Sequence, residues 1–332
     1  MKTLILGGTT FLGRHLARVL VERGHDTSIF TRGRERGDEA LALARYVGDR
    51  DGGLGSIPRT GWDAVIDTSG YVPAIVASSC AHLANAGRYL FTSSISVYDP
   101  SVEIVGDGHA PYTPREAHRA DDDPSNYGPS KRRSEDVVRA VFDDRALLVR
   151  PGLLVGPYDP TNRFTYWVDR VAEGGDVAVP GPEERYVQLI DVRDAAAFMI
   201  RLLEDGHRGI YDVNGPPKAT TMGQVMKTAA DVLQADPDVV WIDERFLEAN
   251  GITGWTDLPL WLGPSHGMPG FMNTSIDRAL ADGLSVRPLA QTIRDTRAWS
   301  SIAADLAPAD SRAGITRERE REILAAWSAA SH

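Results

Sequence analysis

The chain has the composition of an ordinary globular protein: 332 residues, 42% hydrophobic and 25% charged, with a net charge of −10. The negative charge argues against a nucleic-acid partner, because phosphates would be repelled. The single cysteine, Cys80, excludes an internal disulfide, and no segment has the roughly 18 apolar residues of a membrane span. The chain opens on a strand-like segment where a signal peptide would stand, so we expect a cytoplasmic protein.

Strand-like and helix-like patterns alternate through the first half of the chain. Short apolar segments that predict strands lie at 3–7, 26–31, 64–68, 88–94 and 146–150. The alternation predicts an α/β fold of the Rossmann type, with a doubly wound parallel sheet. After residue 151 the pattern loosens into loops rich in proline, glycine and aromatic residues, at 156–186 and 237–275.

A glycine-rich turn joins the first predicted strand to the first helix. Gly7, Thr10 and Gly13 form the pattern GxxTxxG, with Gly8 beside the first glycine. Such a turn brings backbone N–H groups and a helix N-terminus to a pyrophosphate, and glycine is needed where the chain approaches the ligand closely. This segment therefore predicts a dinucleotide-binding site.

Tyr127 and Lys131 form a YxxxK pair. Residues four apart on a helix share one face, and Ser125 as N-cap would place Pro129 in the first turn, where proline is tolerated. A nearby ammonium favours the phenolate, so we expect Lys131 to lower the pKa of Tyr127 from its usual value of about 10. The pair would then serve general acid/base catalysis.

A third motif, at 88–98, begins as an apolar strand and ends in a series of hydroxyl side chains. Further motifs follow at 150–157, 190–194 and 211–215. With these motifs in this order, nearly the whole chain resembles the short-chain dehydrogenase/reductase superfamily. The resemblance is to its extended or atypical branch, the NAD(P)-dependent epimerase/dehydratase-like family.

The resemblance implies a role for each matching residue. Tyr127 matches the acid/base, Lys131 the residue that holds the nicotinamide ribose, and Ser94 the hydroxyl that hydrogen-bonds the reacting oxygen. The implied cofactor-binding residues are Gly7, Thr10, Phe11, Leu12 and Gly13 at the pyrophosphate, Asp49 at the adenine, Thr68, Ser69 and Gly70 beside the nicotinamide half, and Pro151, together with Tyr127 and Lys131. Thr10 replaces the family's usual middle glycine, a substitution that we associate with the atypical subgroup.

The end of the second predicted strand bears on the choice of cofactor. An acidic side chain there usually binds the ribose 2′-hydroxyl of NAD, whereas an arginine accommodates the 2′-phosphate of NADP. This chain offers Thr31, Arg32 and Arg34, with no acid before Glu35. NADP(H) is therefore favoured over NAD(H).

The substrate is constrained mainly by what the chain lacks. Sugar-nucleotide dehydratases of this superfamily carry Asp-Glu directly after the catalytic hydroxyl, and Ile95 and Ser96 stand there instead. Nucleotide-sugar epimerases usually place an arginine at the position of Val187; Arg185 lies two residues earlier and can take the same face of a strand. The residues expected to contact substrate are Ser96, Asn162, Arg163, Tyr166 and Arg185.

The resemblance also implies two lobes that are interleaved in sequence. Residues 1–155 would form the dinucleotide-binding domain, to which 187–215 return. Residues 156–186 and 216–300 would form the substrate lobe. The tail 301–332 would end in an amphipathic packing helix over 316–327.

These features predict an NADP(H)-dependent oxidoreductase or epimerase. It would transfer hydride at a secondary alcohol or ketone carbon of a small polar molecule, for which a sugar is one candidate, with Tyr127 as acid/base. Two alternatives stay open: a nucleotide-sugar epimerase with tightly bound NAD, and a non-catalytic dinucleotide-binding regulatory protein. No metal is expected, because the histidines lack ligand spacing such as HExxH.

Assembly is open between two alternatives. Extended members of the resembling family commonly dimerise through two helices from each subunit, here at about 72–86 and 126–143. A homodimer would pack the apolar stripes of these helices against a second copy. In the other case both stripes face the protein's own sheet, and the only partner is a small-molecule substrate.

Overall fold

The computed structural model describes residues 1–34, 41, 43–99, 101–106, 126–262, 266–303 and 313–331. In chain order, the strands of these ranges are β1 (Lys2–Leu6), β2 (Asp26–Thr31), β3 (Ala44–Val47), β4 (Ala64–Asp67), β5 (Arg88–Thr92), β6 (Ala146–Pro151), β7 (Leu153–Val155), β8 (Gly175–Pro180), β9 (Leu189–Asp191), β10 (Gly209–Val213) and β11 (Pro237–Ile242). The α-helices are α1 (Phe11–Glu22), α2 (Pro73–His82), α3 (Tyr127–Phe142), α4 (Thr165–Ala172), α5 (Val192–Glu204), α6 (Met222–Leu233), α7 (Glu244–Ala249), α8 (Asp277–Ala281), α9 (Leu289–Ala303) and α10 (Arg317–Ala330).

The main sheet is parallel throughout, with the strand order β3-β2-β1-β4-β5-β6-β10. The chain runs outward from β1 to β3 and then returns to the other side of β1 at β4. This reversal places a crevice at the carboxyl ends of β1 and β4, where ligands of doubly wound sheets bind. The predicted Rossmann-type α/β fold is confirmed.

The sheet is buried on both faces because side chains alternate along each strand. Ile5 and Ile29 point to the face that α1 and α5 cover. Leu4 and Leu6 point to the opposite face, against which α2 and α3 pack. Cys80 lies in this second cluster, and burial raises the pKa of its thiol to about 12, so it is a core residue.

A second hydrophobic core lies beyond β6. It is built from α4, α6, α7, α9 and α10 around the parallel pair of β8 and β11, with β7 and β9 as a further parallel pair. Trp167, Val177, Met226, Ile242 and Ile323 are among its buried members. This core and the main sheet form two interleaved parts of the chain, and β10 and α5 of the segment 187–215 pack with the sheet.

The two cores divide the chain differently from the predicted boundaries at three places. β7, predicted in the first domain, contributes Leu153 and Val155 to the second core. The region of α8, predicted in the substrate lobe, contributes Ile276 and Ala279 to the first core, beside β10. The terminal helix, predicted as a separate tail, buries Ile323 in the second core. These segments are too short for their own hydrophobic pattern to show which core they join.

β3 was missing from the predicted strands. It is an edge strand that pairs only with β2 within the described residues, and Val47 at its end is exposed. Without a buried face, its sequence carries little of the alternation that marks a strand.

The helix pair proposed for a dimer packs mainly inward. Val76 and Leu83 from the α2 region and Val138 from α3 are fully buried against the protein's own sheet. Val137 and Val141 are only partly buried. The apolar surface of these helices that remains free to contact a second copy is therefore narrower than the sequence suggested. The dimer stays a prediction. None of the helices in the described ranges is long and apolar enough to cross a bilayer.

A buried ion pair anchors α10 to the second core. Arg170 Nε donates to Glu320 at 2.8 Å, and the Ala178 N–H donates to Glu320 Oε1 at 3.1 Å. Glu320→Ala should lower the free energy of unfolding by about 3–5 kcal/mol, because it leaves the Arg170 guanidinium buried without its partner. Urea unfolding measures the loss. Glu322→Ala, which removes an exposed carboxylate from the same helix, is the matched control, and equal midpoints for the two variants would contradict the prediction.

Candidate active site

The crevice at the reversal point gathers residues from four separate segments. The predicted cofactor-binding residues that line it are Gly7, Thr10, Arg32, Arg34, Asp49, Thr68 and Ser69. Thr9, Phe30, Arg50 and Tyr71 also line it, and the sequence analysis did not include them among the cofactor-binding residues. The loops after β1, β2, β3 and β4 thus meet at one edge of the sheet.

The glycine-rich turn closes tightly against β4. Gly7 has a φ of +114°, and a Cβ there would lie 2.3 Å from Thr68 Oγ1. A Cβ on Gly13 would lie 2.6 Å from the Gly8 nitrogen. Thr68 Oγ1 in turn donates to the Leu6 carbonyl at 3.0 Å. These close approaches require glycine and hold the start of α1 at the crevice.

The other predicted cofactor residues do not line the crevice. Phe11 begins α1, and the Leu12 side chain belongs to the first core. Gly70 backs onto Phe91, since a Cβ there would lie 2.4 Å from that ring. Pro151 is buried at the end of β6. None of these four residues is among the lining residues of the crevice, so their contact with a dinucleotide stays a prediction.

Tyr127, Lys131 and Ser94 lie together, as expected from the YxxxK motif and the hydroxyl-rich segment. Tyr127 is the first residue of α3, with Asn126 at the N-cap position, and Pro129 is the third residue, within the first turn as expected. Ser125, the predicted N-cap, lies outside the described residues. Lys131 follows one turn later, and its Nζ donates to the Thr92 carbonyl at 2.8 Å. Ser94 caps the short 3₁₀ turn Ile95–Val97.

The protonation of this group differs from expectation. Burial, and after it the neighbouring Tyr71, raise the pKa of Tyr127 to about 12, while a hydrogen bond with the Ser94 side chain acts in the opposite direction. Burial lowers the pKa of Lys131 to about 8. The Lys131 Nζ lies 5.8 Å from the Tyr127 ring centre and donates its hydrogen bond to the Thr92 carbonyl rather than to the phenol. Tyr127 therefore holds its proton at neutral pH, although 40% of the residue is exposed.

Two buried ion pairs flank Lys131, and the sequence analysis missed both. Arg50 binds Asp67 through two hydrogen bonds of 2.8 and 2.7 Å at the floor of the crevice. Arg150 binds Glu135 of α3 through two of 2.7 and 2.6 Å. The partners come from different elements, so no local pattern could have linked them.

The first ion pair extends to the crevice and to the core. Arg50 Nη1 donates to Ser69 Oγ at 3.1 Å, and the Tyr89 hydroxyl donates to Asp67 Oδ2 at 2.9 Å. Ser69 lines the crevice, so the pair fixes one of its walls. The second pair extends in the same way, because Arg150 donates to the Tyr98 hydroxyl at 2.7 Å.

A second cavity lies on the other side of Tyr127. Its lining residues are Ile95, Ser96, Tyr98, Val105, Tyr127, Gly128, Pro129, Met268, Gly270 and Phe271. Ser96 is thus placed where substrate contact was predicted. No charged side chain is among the described lining residues.

Asn162 and Tyr166, predicted to contact substrate, serve packing instead. Asn162 Nδ2 donates to the Ala313 carbonyl at 2.8 Å. The Tyr166 ring packs on Trp167 with 4.9 Å between ring centres. The same ring contacts Gly314, where a Cβ would lie 2.3 Å from the ring atom Cδ2. Both residues hold the segment before α10 against α4, away from the cavity beside Tyr127.

The two predicted arginines also lie outside this cavity. The Arg163 guanidinium stands 4.6 Å over the Trp255 ring, and Trp255 in turn contacts Phe271 of the cavity wall. Arg185 pairs with Glu244 and lines a separate cavity. Arg163 therefore lies behind the wall of the cavity beside Tyr127, separated from it by Trp255. The charge of Arg185 is neutralised by Glu244.

The crevice fits a dinucleotide in two observable respects. The turn after β1 has glycine at the point where a side chain would fill the approach to the α1 N-terminus. Beside Lys131, the buried Thr92 and Ser93 hydroxyl oxygens have no hydrogen-bond partner within the described residues. Gly7 and Thr10 would hold the pyrophosphate, and Lys131 the ribose next to Tyr127.

Comparison with known proteins agrees with this geometry. Residues 64–214 match the model of the NAD dependent epimerase/dehydratase family. The chain is 27% identical over 259 residues to the chloroplast stem-loop binding protein of 41 kDa b of Arabidopsis thaliana, covering 72% of this chain and 65% of that protein. It is 28% identical over 278 residues to the ceramide reductase of Caulobacter vibrioides, covering 76% and 78%.

A solved structure shares the fold. The UDP-glucose 4-epimerase of Thermus thermophilus in complex with NAD superimposes with a TM-score of 0.62 at 18% identity, covering 90% of this chain and 98% of that one. The family match covers β4 to β10, the part of the chain that carries Ser94, Tyr127 and Lys131. Residues 64–214 of the chain therefore match the NAD dependent epimerase/dehydratase family, and the chain as a whole shares the fold of a solved epimerase.

Proposed function

We propose that this enzyme is an NADP(H)-dependent oxidoreductase that acts at a ketone or secondary alcohol. One observation carries the proposal: Tyr127 lines the apolar cavity, and its ring centre lies 6.4 Å from that of Tyr71, which lines the dinucleotide crevice. A substrate carbonyl in that cavity would face both the phenol and the cofactor.

The proton chemistry favours reduction. A bound NADPH supplies hydride to the carbonyl carbon, and the oxygen must then gain a proton to give the alcohol. Tyr127 is protonated at neutral pH, as its pKa of about 12 requires, and it lines the cavity where the carbonyl oxygen would lie, so it can donate that proton. Ser94, hydrogen-bonded with Tyr127, would donate to the same oxygen, and Lys131 would bind the ribose hydroxyls.

The cavity favours a ketone with hydrocarbon substituents over a nucleotide sugar. Ile95, Val105, Met268 and Phe271 offer apolar contacts, whereas a diphosphate needs cations that the described lining lacks. The similarity to a protein named ceramide reductase supports the same direction. This revises the small polar substrate expected from the sequence.

A substrate panel tests the proposal. Long-chain and simple alkyl ketones should oxidise NADPH, followed by its absorbance, while UDP-glucose should not. An epimerase would convert UDP-glucose without a net change in cofactor absorbance. That result, with no ketone reduced, would replace this proposal by the nucleotide-sugar epimerase.

A protein of another class is the second candidate, because one relative is named a stem-loop binding protein. A regulatory RNA-binding protein needs a basic surface, and the net charge of −10 opposes one. Retention of Ser94, Tyr127 and Lys131 also favours turnover. Stem-loop RNA binding at physiological salt, with no reduction across the panel, would support this candidate.

The choice of NADP(H) gives a separate prediction. Arg32 and Arg34 are exposed at the crevice and make no hydrogen bond or ion pair within the described residues. Replacing both with alanine should raise the Kd for NADPH about tenfold, as expected for loss of a phosphate contact of about 1.4 kcal/mol, and leave the Kd for NADH unchanged.

Fluorescence titration measures both constants. Arg208→Ala is the matched control, since Arg208 is exposed near the opposite end of the sheet, where it pairs with Asp144. A wild-type protein that binds NADH more tightly than NADPH would contradict the role of these arginines.

A further inference from the structure

The Lys131 ammonium stands in a cage of three aromatic rings. Its Nζ lies 4.8 Å from the ring centre of Tyr71, 5.1 Å from that of Phe91 and 5.8 Å from that of Tyr127. All three distances are within the cation–π range of about 6 Å. The Thr92 carbonyl accepts a hydrogen bond from the same nitrogen at 2.8 Å.

Tyr71 is the wall of this cage that faces the crevice. Phe91 is fully buried in β5, and Tyr127 belongs to α3. Tyr71 follows β4, lines the dinucleotide crevice and is 58% exposed, whereas Lys131 is only 2% exposed. The ring of Tyr71 therefore contacts the ammonium and also borders the crevice.

The charged groups around Lys131 are already paired with one another. Asp67 of β4 is bound by Arg50, and Glu135 of α3 is bound by Arg150. The Thr92 carbonyl and the hydroxyls of Thr92, Ser93, Ser94 and Tyr127 are uncharged polar groups close by. Each ion pair is neutral as a unit, so the aromatic rings and access of water decide how well the ammonium is stabilised.

We propose that Tyr71 is a positioning residue that closes the cage, excludes crevice water from Lys131 and holds its ammonium beside Tyr127. The inference rests on the role of Lys131 in the proposed function. The ring acts in two ways: its face attracts the cation, and its bulk removes water from it. Burial lowers the pKa of Lys131 to about 8, so the removal of water is the larger effect.

NMR of protein labelled with ¹³C at the lysine Cε tests this directly. The chain has four lysines, Lys2, Lys131, Lys218 and Lys227, so the spectrum is simple, and Lys131→Met assigns the signal. Tyr71→Ala should raise the titration midpoint of Lys131 by about one pH unit or more, towards the usual value of about 10.4, because water reaches the nitrogen. Tyr71→Phe keeps the ring and should leave the midpoint where the wild type has it.

Tyr186→Ala is the matched control, since Tyr186 is 46% exposed and lines a different cavity. An unchanged or lowered midpoint in Tyr71→Ala would overturn the proposal. If that variant unfolds, Tyr71→Leu, which fills part of the space with fewer shielding atoms, should give a smaller upward shift, and no shift would overturn it equally. Neither substrate nor cofactor enters the measurement, so failure of the proposed function leaves this test intact.

Discussion

Tyr127→Phe is expected to reduce kcat by at least about 100-fold, the contribution of general acid/base catalysis. The substitution keeps the ring that borders the cavity and the cage around Lys131 and removes only the hydroxyl that would protonate the substrate oxygen. The Kd for NADPH should stay close to that of the wild type, because the ring and the crevice wall remain in place.

Steady-state kinetics on a reduced ketone, with a separate cofactor titration, measures both quantities. Tyr186→Phe removes the hydroxyl of a tyrosine that lines a different cavity, and it should leave kcat unchanged. A Tyr127→Phe enzyme with the wild-type kcat would remove Tyr127 from the mechanism.

Lys131→Met is expected to lower both turnover and cofactor affinity. Methionine has nearly the same length and no charge, so the buried space stays filled while the ammonium that would bind the ribose is lost. We expect a fall in kcat of about 100-fold and a rise in the Kd for NADPH of about tenfold. A variant that binds NADPH as tightly as the wild type would contradict the ribose role.

The same substitution changes how stability depends on pH. The pKa of Lys131 is lowered from 10.5 to about 8 in the folded protein. Between these values the unfolded state binds a proton that the folded state does not, so the free energy of unfolding rises with pH through this window and is lower below it. Lys131→Met should remove that rise. Urea unfolding at pH values of about 7 and about 9.5 compares the two proteins, and equal pH dependence would contradict burial of a titrating lysine at this position.

The parts of the site that the sequence predicts are those built from short patterns. The GxxTxxG turn and the YxxxK pair each lie within one loop or helix, so spacing alone places Gly7, Thr10, Tyr127 and Lys131 correctly. The parallel sheet follows in the same way, because each buried strand shows as a run of apolar residues. β3 is not predicted, because an exposed edge strand has no such run of apolar residues.

The parts that the sequence does not predict depend on contacts between distant segments. Arg50, which follows β3, contacts Asp67 of β4 only when the sheet has formed, and Arg150 of β6 contacts Glu135 only when α3 packs against that sheet. The pKa of Tyr127 also depends on such contacts, since burial and then the neighbouring Tyr71 raise it.

The placement of two predicted substrate residues was not evident for a related reason. The segment before α10 packs onto Asn162 and Tyr166, away from the cavity beside Tyr127. The order of the family's motifs along the chain predicts where a loop begins and ends. It does not fix which distant segment covers that loop, so these two positions required the structure.

The most direct test of the proposed activity is the transfer of labelled hydride in a single turnover. The enzyme would be mixed with NADPH carrying deuterium at both C4 positions of the nicotinamide and with a ketone that it reduces, and the product analysed by mass spectrometry. The account predicts an alcohol with one deuterium on the carbinol carbon from the wild type, and a product yield from Tyr127→Phe lower by at least about 100-fold. An alcohol without deuterium, or equal yields from the two proteins, would contradict it.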